Sequence, residues 1–595
     1  MERWDIYDAN KNKTGRTMAK NDRNMEEGDF HLTVLGIIER SDRTFLITKR
    51  AMDKSWAPGA WEVPGGGVQA GESSHDAVVR EIFEETGIDV TGARGRCLFS
   101  YRRVNPTEKD NYFVDVYRFR IDVSDDDVKL LDTETIDFRF ADADEIGRIA
   151  GEEQFLHYES IKRAFEGDEN IIIRGGRIIN PSNGTDARGD LWISDGRIVQ
   201  PGSFDTGDAD RIIDATGYMV MPGFIDLHCH LRDPGQTHKE TIETGCAAAA
   251  KGGFTTLFAM PNTNPVADNG EAISYTADKA AKASRVRVYQ TGAVTKNQEG
   301  RELADHESMR NAGMITMSED GKSLMDSGLM RKALRYCAEN DILMCSHCED
   351  INLVEGGVMN QDENAKRLSL KGISNSVEDI ITWRDILLAR ETGARLHLCH
   401  VSTEDAVGFI CVGKAKGVRL TAEVTPHHFS LCSDDIPGDD PNYKMNPPLR
   451  SKKDKEAVIM GLRNGIIDVI ATDHAPHTKE EKSGSFNDAP FGITGFETAA
   501  ALTWTNLVEP GIISALDMAR LMSFNPAHIA GITGGTLDVG ESADVVIMNI
   551  TDTYEIDPDK FLSKGKNTPF AGTKVRGRVV STIIGGEVVY DEYED

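Results

Sequence analysis

Positive charge is scarce in this 595-residue sequence. Lys and Arg total 67 against 97 Asp and Glu, which gives a net charge of −30. A phosphate polymer or an anionic membrane surface would be repelled by such a chain, so we expect it to bind neither nucleic acid nor membranes. Small anionic substrates are not excluded, because local Arg side chains or bound cations can hold them.

Long apolar runs and a disulfide framework are also missing. No run of 18 or more apolar residues offers a transmembrane helix, and the opening MERWDIYDANKNK has charges where a signal peptide needs an apolar core. The nine cysteines are an odd number scattered along a long chain, which favours a reducing compartment. We therefore expect a cytoplasmic protein.

The composition that remains, 39% hydrophobic and 28% charged residues, is typical of a folded globular protein. The pattern changes near residue 168, where a terminal helix pattern gives way to the strand-like IIIRGGRII. We predict one domain over residues 1–168 and a second, larger part from residue 169 onward.

An acidic helix is predicted in the first domain. Glu81, Glu84 and Glu85 are spaced i, i+3 and i+4, so their carboxylates share one helix face. Carboxylates so placed repel one another unless a divalent cation lies between them, and Mg²⁺ or Mn²⁺ prefers oxygen ligands. A bare EIFEE segment favours the alternative of a solvated acidic face. Ser73 is predicted to cap the helix, and Val78 and Val79, with Ile82 and Phe83, to form its buried stripe.

The segment from Gly66 to Ile88 resembles the Nudix box, G-x5-E-x7-R-E-U-x-E-E-x-G-U, at every specified position. The resemblance implies a Nudix hydrolase domain over about residues 30–165, an α/β/α sandwich that cleaves a nucleoside diphosphate linked to another group. It also implies the roles of five residues: Glu81, Glu84 and Glu85 as Mg²⁺ or Mn²⁺ ligands, Glu84 and Glu85 as catalytic, Glu72 as a helper and Arg80 as an orienter of a glutamate. An isomerase related to isopentenyl-diphosphate isomerase and a nucleotide sensor stay open as alternatives.

The second part repeats a unit of an apolar run, polar residues at its end, and a helical stretch. Eight such runs indicate a parallel sheet closed into a (β/α)8 barrel over residues 223–534, with short β runs at 169–222 and 535–595 forming a small composite β-domain. The runs are 223–232, 254–263, 286–295, 314–320, 342–350, 395–403, 419–428 and 468–477. The segment 478–492, rich in Gly, Ser and charge, is predicted to be either a mobile lid or an ordinary surface loop.

Metal-ligating residue types end several of these runs. His228 and His230 are alternate residues of a strand, so both imidazoles point the same way and reach one metal. A lone histidine on an apolar strand is typically a core residue, but six such groups at one end of successive strands are hard to explain as core. The six are His228, His230, Asp320, His347, His400 and Asp473. Four imidazoles with two carboxylates suit Zn²⁺.

Nearly all of residues 170–595 resembles the amidohydrolase superfamily, and more narrowly the dihydroorotases, in segments such as PGFIDLHCHLRDPG, TAEVTPHH, ATDHAPHT and FLSKGKNTPF. The resemblance implies a zinc enzyme of pyrimidine biosynthesis that closes N-carbamoyl-L-aspartate to L-dihydroorotate, or runs the reverse. The resemblance implies that the same six residues are the metal ligands, and that Asp320 bridges the ions if two zincs bind. It also implies that Asp473 is the catalytic proton carrier. It assigns substrate binding to Arg232, Asn262, His477, Asn446, Phe491 and Gly492.

One departure leaves the number of zincs, one or two, open. Where the aspartate-bridged class carries two aspartates, this sequence has Glu319-Asp320. Another cyclic amidase, such as an allantoinase or hydantoinase, stays open as an alternative, and so does a non-catalytic scaffold. Small-molecule substrates are expected, and a homodimer or an association with aspartate transcarbamoylase stays open.

Overall fold

The computed structural model describes residues 3–20, 25–26, 28–40, 42, 44–54, 56–104, 110–130, 135–165 and 170–592. The chain divides into two compact units, Met1–Asp168 and Glu169–Asp595. Within the described ranges, no helix combines the length and the apolar character that crossing a membrane requires.

The first unit is a mixed sheet with helices on both faces. Its strands are β1 (Arg3–Tyr7), β2 (Lys13–Ala19), β3 (His31–Glu39), β4 (Phe45–Arg50), β5 (Trp61–Glu62), β6 (Gly65–Gly67), β7 (Arg94–Arg103), β8 (Tyr112–Arg120) and β9 (Thr135–Ala141). Its helices are α1 (Ser74–Thr86), α2 (Ala143–Glu152) and α3 (Tyr158–Ile161). The sheet order is β5-β4-β3-β8-β7, with β6 paired to β3 and β9 to β4, while β1 and β2 form a separate hairpin.

The central strand β3 supplies side chains to two cores, because successive residues of a strand point to opposite faces. Val34 and Ile38 pack in the core that α1 covers, and Leu35 and Ile37 pack in the core that α2 and α3 cover. Both faces of the sheet are therefore buried, which confirms the predicted α/β/α sandwich.

Helix α1 begins after Ser73, whose hydroxyl accepts the N–H of Asp76 at 3.1 Å. Val78 and Ile82 are fully buried, as predicted, whereas Phe83 is 57% exposed. The prediction that Phe83 belongs to the buried stripe is wrong. The buried arc is centred on Val78 and Ile82, and each further residue turns about 100° around the helix axis, so Phe83 faces away from the sheet.

The second unit contains the remaining strands and helices. The strands are β10 (Ile171–Asn180), β11 (Thr185–Ser194), β12 (Arg197–Val199), β13 (Arg211–Asp214), β14 (Met219–Pro222), β15 (Phe224–Cys229), β16 (Phe254–Ala259), β17 (Arg287–Gln290), β18 (Gly292–Ala293), β19 (Thr316–Ser318), β20 (Leu343–Ser346), β21 (Met359–Asn360), β22 (Gly372–Ile373), β23 (Arg395–Leu398), β24 (Leu420–Val424), β25 (Val469–Ile470), β26 (Val545–Asn549), β27 (Tyr554–Glu555), β28 (Lys574–Val575), β29 (Arg578–Ile584) and β30 (Glu587–Asp591). The helices are α4 (Ile242–Lys251), α5 (Gly270–Ala283), α6 (His306–Asn311), α7 (Ser327–Asn340), α8 (Ile351–Val354), α9 (Glu363–Leu368), α10 (Ser376–Thr392), α11 (Glu404–Ala415), α12 (Pro426–Ser430), α13 (Lys452–Arg463), α14 (Phe496–Thr503), α15 (Ala515–Ala519) and α16 (Asn525–Ala530).

Eight parallel strands form a closed barrel in chain order: β15, β16, β17 continued by β18, β19, β20, β23, β24 and β25. The ring closes between its first strand and the segment after its last one. There the N–H of Asp473 donates to the carbonyl of His228 (3.0 Å), and the N–H of His230 donates to the carbonyl of His474 (2.8 Å). Because helices alternate with these strands, the predicted (β/α)8 barrel is confirmed.

A second sheet lies outside the barrel and draws strands from both of its flanks. Its order is β12-β11-β10-β14-β26-β29-β30, with β13 also paired to β10. The antiparallel pairing of β14 with β26 joins the strands that precede the barrel to those that follow it. Buried side chains from both flanks, among them Ile171, Ile193, Ile547 and Ile583, fill one core.

Candidate active sites

Helix α1 and strand β6 form an acidic site in the first unit. The carboxylate of Glu85 lies against β6 and accepts the N–H of Gly65 at 3.3 Å. The carboxylate of Glu81 faces Gly66 so closely that a Cβ at position 66 would overlap it. Glycine at position 66 therefore allows Glu81 to approach the strand.

Arg80 holds three glutamates of this site. Its Nε and Nη2 donate to the two oxygens of Glu72 at 2.9 Å each, a bidentate pair. Its Nη1 donates to Glu81 at 2.7 Å and to Glu84 at 3.2 Å. Burial raises the pKa of Glu81, against the opposing effect of the Arg80 charge.

The three predicted metal-ligating glutamates share a helix face without converging on one point. Across the described residues, the sets of three or more candidate ligand atoms within 4.8 Å of one another all belong to the barrel. In the acidic site, Arg80 binds Glu81 and Glu84 directly and neutralises part of their mutual repulsion.

Asp320, which follows β19, lies at the centre of the barrel site. Its Oδ1 is 3.2 Å from Nε2 of His228 and 3.5 Å from Nδ1 of His347. Its Oδ2 is 3.5 Å from Nε2 of His230, and its Oδ1 is 4.0 Å from Nε2 of His400. The ends of three strands, β15, β20 and β23, thus bring these imidazoles to the carboxylate at the end of a fourth, β19.

Asp473 completes the cluster from the end of the last barrel strand. Its Oδ1 lies 3.0 Å from Nε2 of His230 and 3.5 Å from Nε2 of His228. Its backbone has a φ of +47°, a conformation that costs energy in a residue other than glycine and that is concentrated at functional sites. The structure therefore brings all six residues predicted as zinc ligands together.

The imidazoles and carboxylates of this cluster strongly shift one another's pKa values. Burial opposes the ionisation of Asp320, but the His228 and His347 imidazoles outweigh it and hold the pKa of Asp320 well below its ordinary value. Burial, reinforced by the neighbouring His347, lowers the pKa of His400 to about 3. Burial opposes the protonation of His347, but Asp320 and Glu349 outweigh it and raise the pKa of His347 to about 10, so a metal ion bound here would displace the proton of that imidazole.

The orientation of His228 tests independently whether these residues fit a metal ion. Its Nδ1 is bonded to Oε1 of Glu423 at 2.7 Å, so its Nε2 faces Asp320 and Asp473. That Nε2 is buried and makes no hydrogen bond to any residue that the structure describes. A buried nitrogen without a hydrogen bond, surrounded by carboxylate and imidazole groups, fits a divalent metal ion.

Glu423 and His397 were missed by the sequence analysis. Glu423 lies within β24, is fully buried, and accepts from His228 on one oxygen and from Nε2 of His397 on the other (3.0 Å). Nδ1 of His397 is in turn 2.8 Å from Oγ1 of Thr421. A glutamate in the middle of an apolar predicted strand was the available signal, because a buried charge needs a partner.

Glu423→Gln is expected to weaken metal binding by about 10- to 100-fold, since the carboxylate fixes the ring of His228 and raises its basicity. Competition with a chromogenic chelator measures the affinity. The exposed Glu480→Gln is the matched control, and equal affinities for the two variants would contradict this role for Glu423.

Arg232 and His477 lie side by side next to the metal cluster. Arg232 has a φ of +59°, and its Nε donates to the carbonyl of Pro476 at 3.4 Å. Nε2 of His477 donates to the carbonyl of Phe491 at 2.8 Å. Burial and the Arg232 charge lower the pKa of His477 to about 3, so its imidazole is neutral.

Phe491 and Gly492 are held against a neighbouring loop. The N–H of Gly492 donates to the carbonyl of Lys444 at 3.0 Å, and the ammonium of Lys444 lies 4.7 Å from the centre of the Phe491 ring. Gly492 has a φ of +124°, which a residue with a side chain rarely adopts. A short backbone turn therefore places both residues beside His477.

Of the two predicted substrate asparagines, Asn262 contacts a predicted ligand histidine directly, and Asn446 is joined to one through Glu349. Oδ1 of Asn262 is 3.0 Å from Nδ1 of His230, and its Nδ2 donates to Asp320 at 3.2 Å. Nδ2 of Asn446 donates to Glu349 at 3.0 Å, and the other oxygen of Glu349 is 3.2 Å from Nε2 of His347. Glu349 was not predicted from the sequence, although its position two residues after a predicted ligand was a signal.

Two family models match the chain. The NUDIX domain model matches residues 29–163, and the model described as dihydro-orotase-like matches residues 217–406. Dihydroorotase from Pelotomaculum thermopropionicum is 47% identical over 422 residues, which is 71% of this chain and 99% of that protein. Dihydroorotase from Bacillus cereus is 45% identical over 423 residues, again 71% of this chain and 99% of the relative.

Solved structures share the fold of the second unit. L-hydantoinase (dihydropyrimidinase) from Arthrobacter aurescens aligns with a TM-score of 0.64 and 27% identity over 72% of this chain and 97% of its own. Dihydropyrimidinase from Brevibacillus agri aligns with a TM-score of 0.63 and 26% identity over 71% and 95%. Because relatives named dihydroorotase align with this chain over 99% of their own length, the chain belongs to the dihydroorotase family, and a Nudix domain precedes the barrel in its sequence.

Proposed function

We propose that the second unit is a zinc-dependent dihydroorotase of pyrimidine biosynthesis, which interconverts L-dihydroorotate and N-carbamoyl-L-aspartate. The observation that carries the proposal is the convergence of four imidazoles and two carboxylates at the strand ends of a barrel of this family. No predicted ligand is missing from this cluster, which disfavours a non-catalytic scaffold.

Zinc is the ion that this donor set suits best, because imidazole nitrogens outnumber carboxylates. Among the described residues, three groups of side chains have ligand atoms close enough to share an ion, and two of them consist of predicted ligands: His228, His230 and Asp473 form one, and His228, Asp320 and His400 form the other. The third group is His228, Cys399 and Glu423. Zinc, when bound there, lowers the pKa of a coordinated water and polarises an amide carbonyl.

The chain's own residues supply the proton transfers and the binding contacts. In hydrolysis, a water oxygen bonds to the ring amide carbon, and Asp473 accepts the proton that the water loses. The carbon–nitrogen bond then breaks, and Asp473 delivers that proton to the leaving nitrogen. Ring closure is the same sequence in reverse.

Arg232 is the residue that selects a substrate bearing a carboxylate, because a guanidinium binds a carboxylate in bidentate geometry. We assign it this contact together with Asn262 and His477, and we assign Asn446 and the backbone of Phe491 and Gly492 to the ring. The position of Arg232 beside Pro476 and His477 supports this assignment.

Purified enzyme is expected to open dihydroorotate and to act at most weakly on hydantoin and allantoin. Arg232→Met is expected to raise KM for dihydroorotate by about 10- to 100-fold, because the variant loses a pair of charge-assisted hydrogen bonds to the substrate carboxylate. Arg301→Met is the control, because that side chain is 84% exposed. A faster reaction with hydantoin than with dihydroorotate would make the unit a hydantoinase, and no opening of dihydroorotate would reject the proposal.

We propose for the first unit the hydrolysis of a nucleoside diphosphate linked to a second group, with Mg²⁺ or Mn²⁺ held by Glu81, Glu84 and Glu85. The support is the position of Glu81 and Glu85 against β6, together with the match to the Nudix family model. Such an ion, when bound, neutralises charge on the diphosphate. Arg80 and Glu72 hold Glu81 and Glu84 in place through the contacts described above.

A further inference from the structure

The loop that follows the last barrel strand, residues 471–495, contains four of the predicted functional residues. It carries Asp473, His477, Phe491 and Gly492, and it includes no helix or strand. Repeating backbone hydrogen bonds therefore do not hold it in place, although His474 and Ile493 form one isolated bridge. Side-chain hydrogen bonds to backbone groups have to fix a loop of this length if it is to present a precise surface.

Asn567 fixes the part of this loop nearest the metal cluster, although it lies far along the chain, between β27 and β28. It is 4% exposed. Its Oδ1 accepts the N–H of His477 (3.0 Å), and its Nδ2 donates to the carbonyls of Gly492 (3.0 Å) and Ala475 (3.3 Å). Its own carbonyl accepts the N–H of Thr494 at 2.9 Å. One amide side chain thus joins both arms of the loop.

Lys482 fixes the distal part of the same loop. It is 7% exposed, and its ammonium donates to three backbone carbonyls: Pro441 (2.9 Å), Lys444 (3.1 Å) and Pro490 (2.8 Å). Burial lowers the pKa of Lys482 to about 7, and in its ammonium form the three N–H donors match these three carbonyls. Because Pro490 immediately precedes Phe491, this contact holds the turn that carries Phe491 and Gly492.

We propose that Asn567 and Lys482 are positioning residues that hold the 471–495 loop as a fixed wall of the substrate site. The inference rests on the proposed dihydroorotase function for its effect on catalysis. Asn567 sets the distance between His477 and Gly492, and Lys482 fixes the turn at Phe491. Asp473 itself is held by its own N–H bond to the barrel carbonyl of His228, so the metal cluster does not depend on these two anchors.

The two anchors are therefore expected to affect KM and kcat differently. Loss of either anchor displaces the groups that bind the substrate while Asp473 and the metal ligands keep their positions. KM is therefore expected to rise while kcat stays nearly constant. A merely structural role, in which the variant lowers the fraction of folded enzyme, would lower the apparent kcat and leave KM unchanged.

Asn567→Asp tests the first anchor with almost no change in volume. The carboxylate still accepts the N–H of His477, but it donates nothing to Ala475 and Gly492 and places a negative charge against their carbonyls. We expect KM for dihydroorotate to rise by about 10- to 100-fold, because two buried carbonyls lose their hydrogen-bond donor. We expect kcat to change by less than about threefold. Asn487→Asp, the same substitution at an exposed position of the loop, is expected to have no effect.

Lys482→Met tests the second anchor, with the exposed Lys479→Met as its control. We expect a smaller rise in KM, about tenfold, because the apolar stem of the side chain still fills its place. Zinc content verifies that the second unit of each variant is folded. An unchanged KM in Asn567→Asp, or a fall in kcat alone, would overturn the proposal.

Limited digestion with trypsin supplies a readout that does not depend on the substrate. Cleavage after Lys479 in the full-length protein is expected to be faster in Asn567→Asp than in Asn487→Asp, since the anchored loop resists the protease. If wild-type enzyme fails to open dihydroorotate, the proposed function falls, and this comparison still decides the anchoring. Equal cleavage rates in the two variants would overturn it.

Discussion

Asp473→Asn is expected to lower kcat for dihydroorotate by about 100- to 10,000-fold, the usual contribution of a positioned acid–base group. The amide has the shape of the carboxylate but does not accept the proton that the attacking water loses. Oδ1 of Asp473 lies 3.0 Å from Nε2 of His230 and 3.5 Å from Nε2 of His228, so the zinc content of the variant is expected to fall as well. Steady-state kinetics and zinc analysis of the same preparation measure both effects.

Asp488→Asn is the matched control for this variant, because Asp488 is exposed in the same loop and bonds only to its near neighbours Ser485 and Asn487. Kinetics of the Asp473 variant reloaded with zinc separate the proton-transfer role from the loss of metal. A reloaded Asp473→Asn enzyme with kcat within tenfold of wild type would contradict the assignment of Asp473 as the proton carrier.

Glu85→Gln is expected to reduce hydrolysis by the Nudix domain at least about 100-fold, while dihydroorotase activity is unchanged. Loss of one carboxylate weakens the binding of a cation that stabilises the negative charge on the diphosphate by several kcal/mol. Each 1.4 kcal/mol added to the activation free energy lowers the rate about tenfold. A panel of nucleoside diphosphates joined to a second group, assayed with Mg²⁺ and with Mn²⁺, identifies the substrate for the measurement.

Glu152→Gln, at an exposed position of α2, is the control for that variant. The two activities of one polypeptide serve as internal standards for each other: each variant is expected to lose one and keep the other. Wild-type rates for Glu85→Gln on the panel would reject the metal-ligating role of Glu85.

The sequence predicted the local features best. The spacing of Glu81, Glu84 and Glu85 follows from helix geometry alone, and Ser73 caps the helix as predicted. The paired spacing of His228 and His230 follows from strand geometry in the same way. These predictions succeed because each depends on residues within one element, whose repeat is the same in every protein.

The sequence misplaced or missed residues whose environment depends on contacts between distant segments. Phe83 has the right spacing for the stripe of α1, but the position of the sheet leaves it exposed. Glu423 bonds to His228 of another strand, and Glu349 joins His347 to Asn446, which lies 97 residues further along the chain. Asn567 reaches the site across 90 residues of chain from His477.

The sequence by itself predicted which chemistry is present: an acidic helix of Nudix type, a barrel pattern of eight runs, and six candidate ligands at strand ends. Only the tertiary structure decided how those groups are held. Closure of the barrel brings Asp473 beside His228, Arg80 binds the glutamates of α1, and Asn567 and Lys482 hold the loop of the substrate site. The physical reason is that ligand types and helix spacing are local properties, whereas orientation depends on hydrogen bonds between segments that meet only after folding.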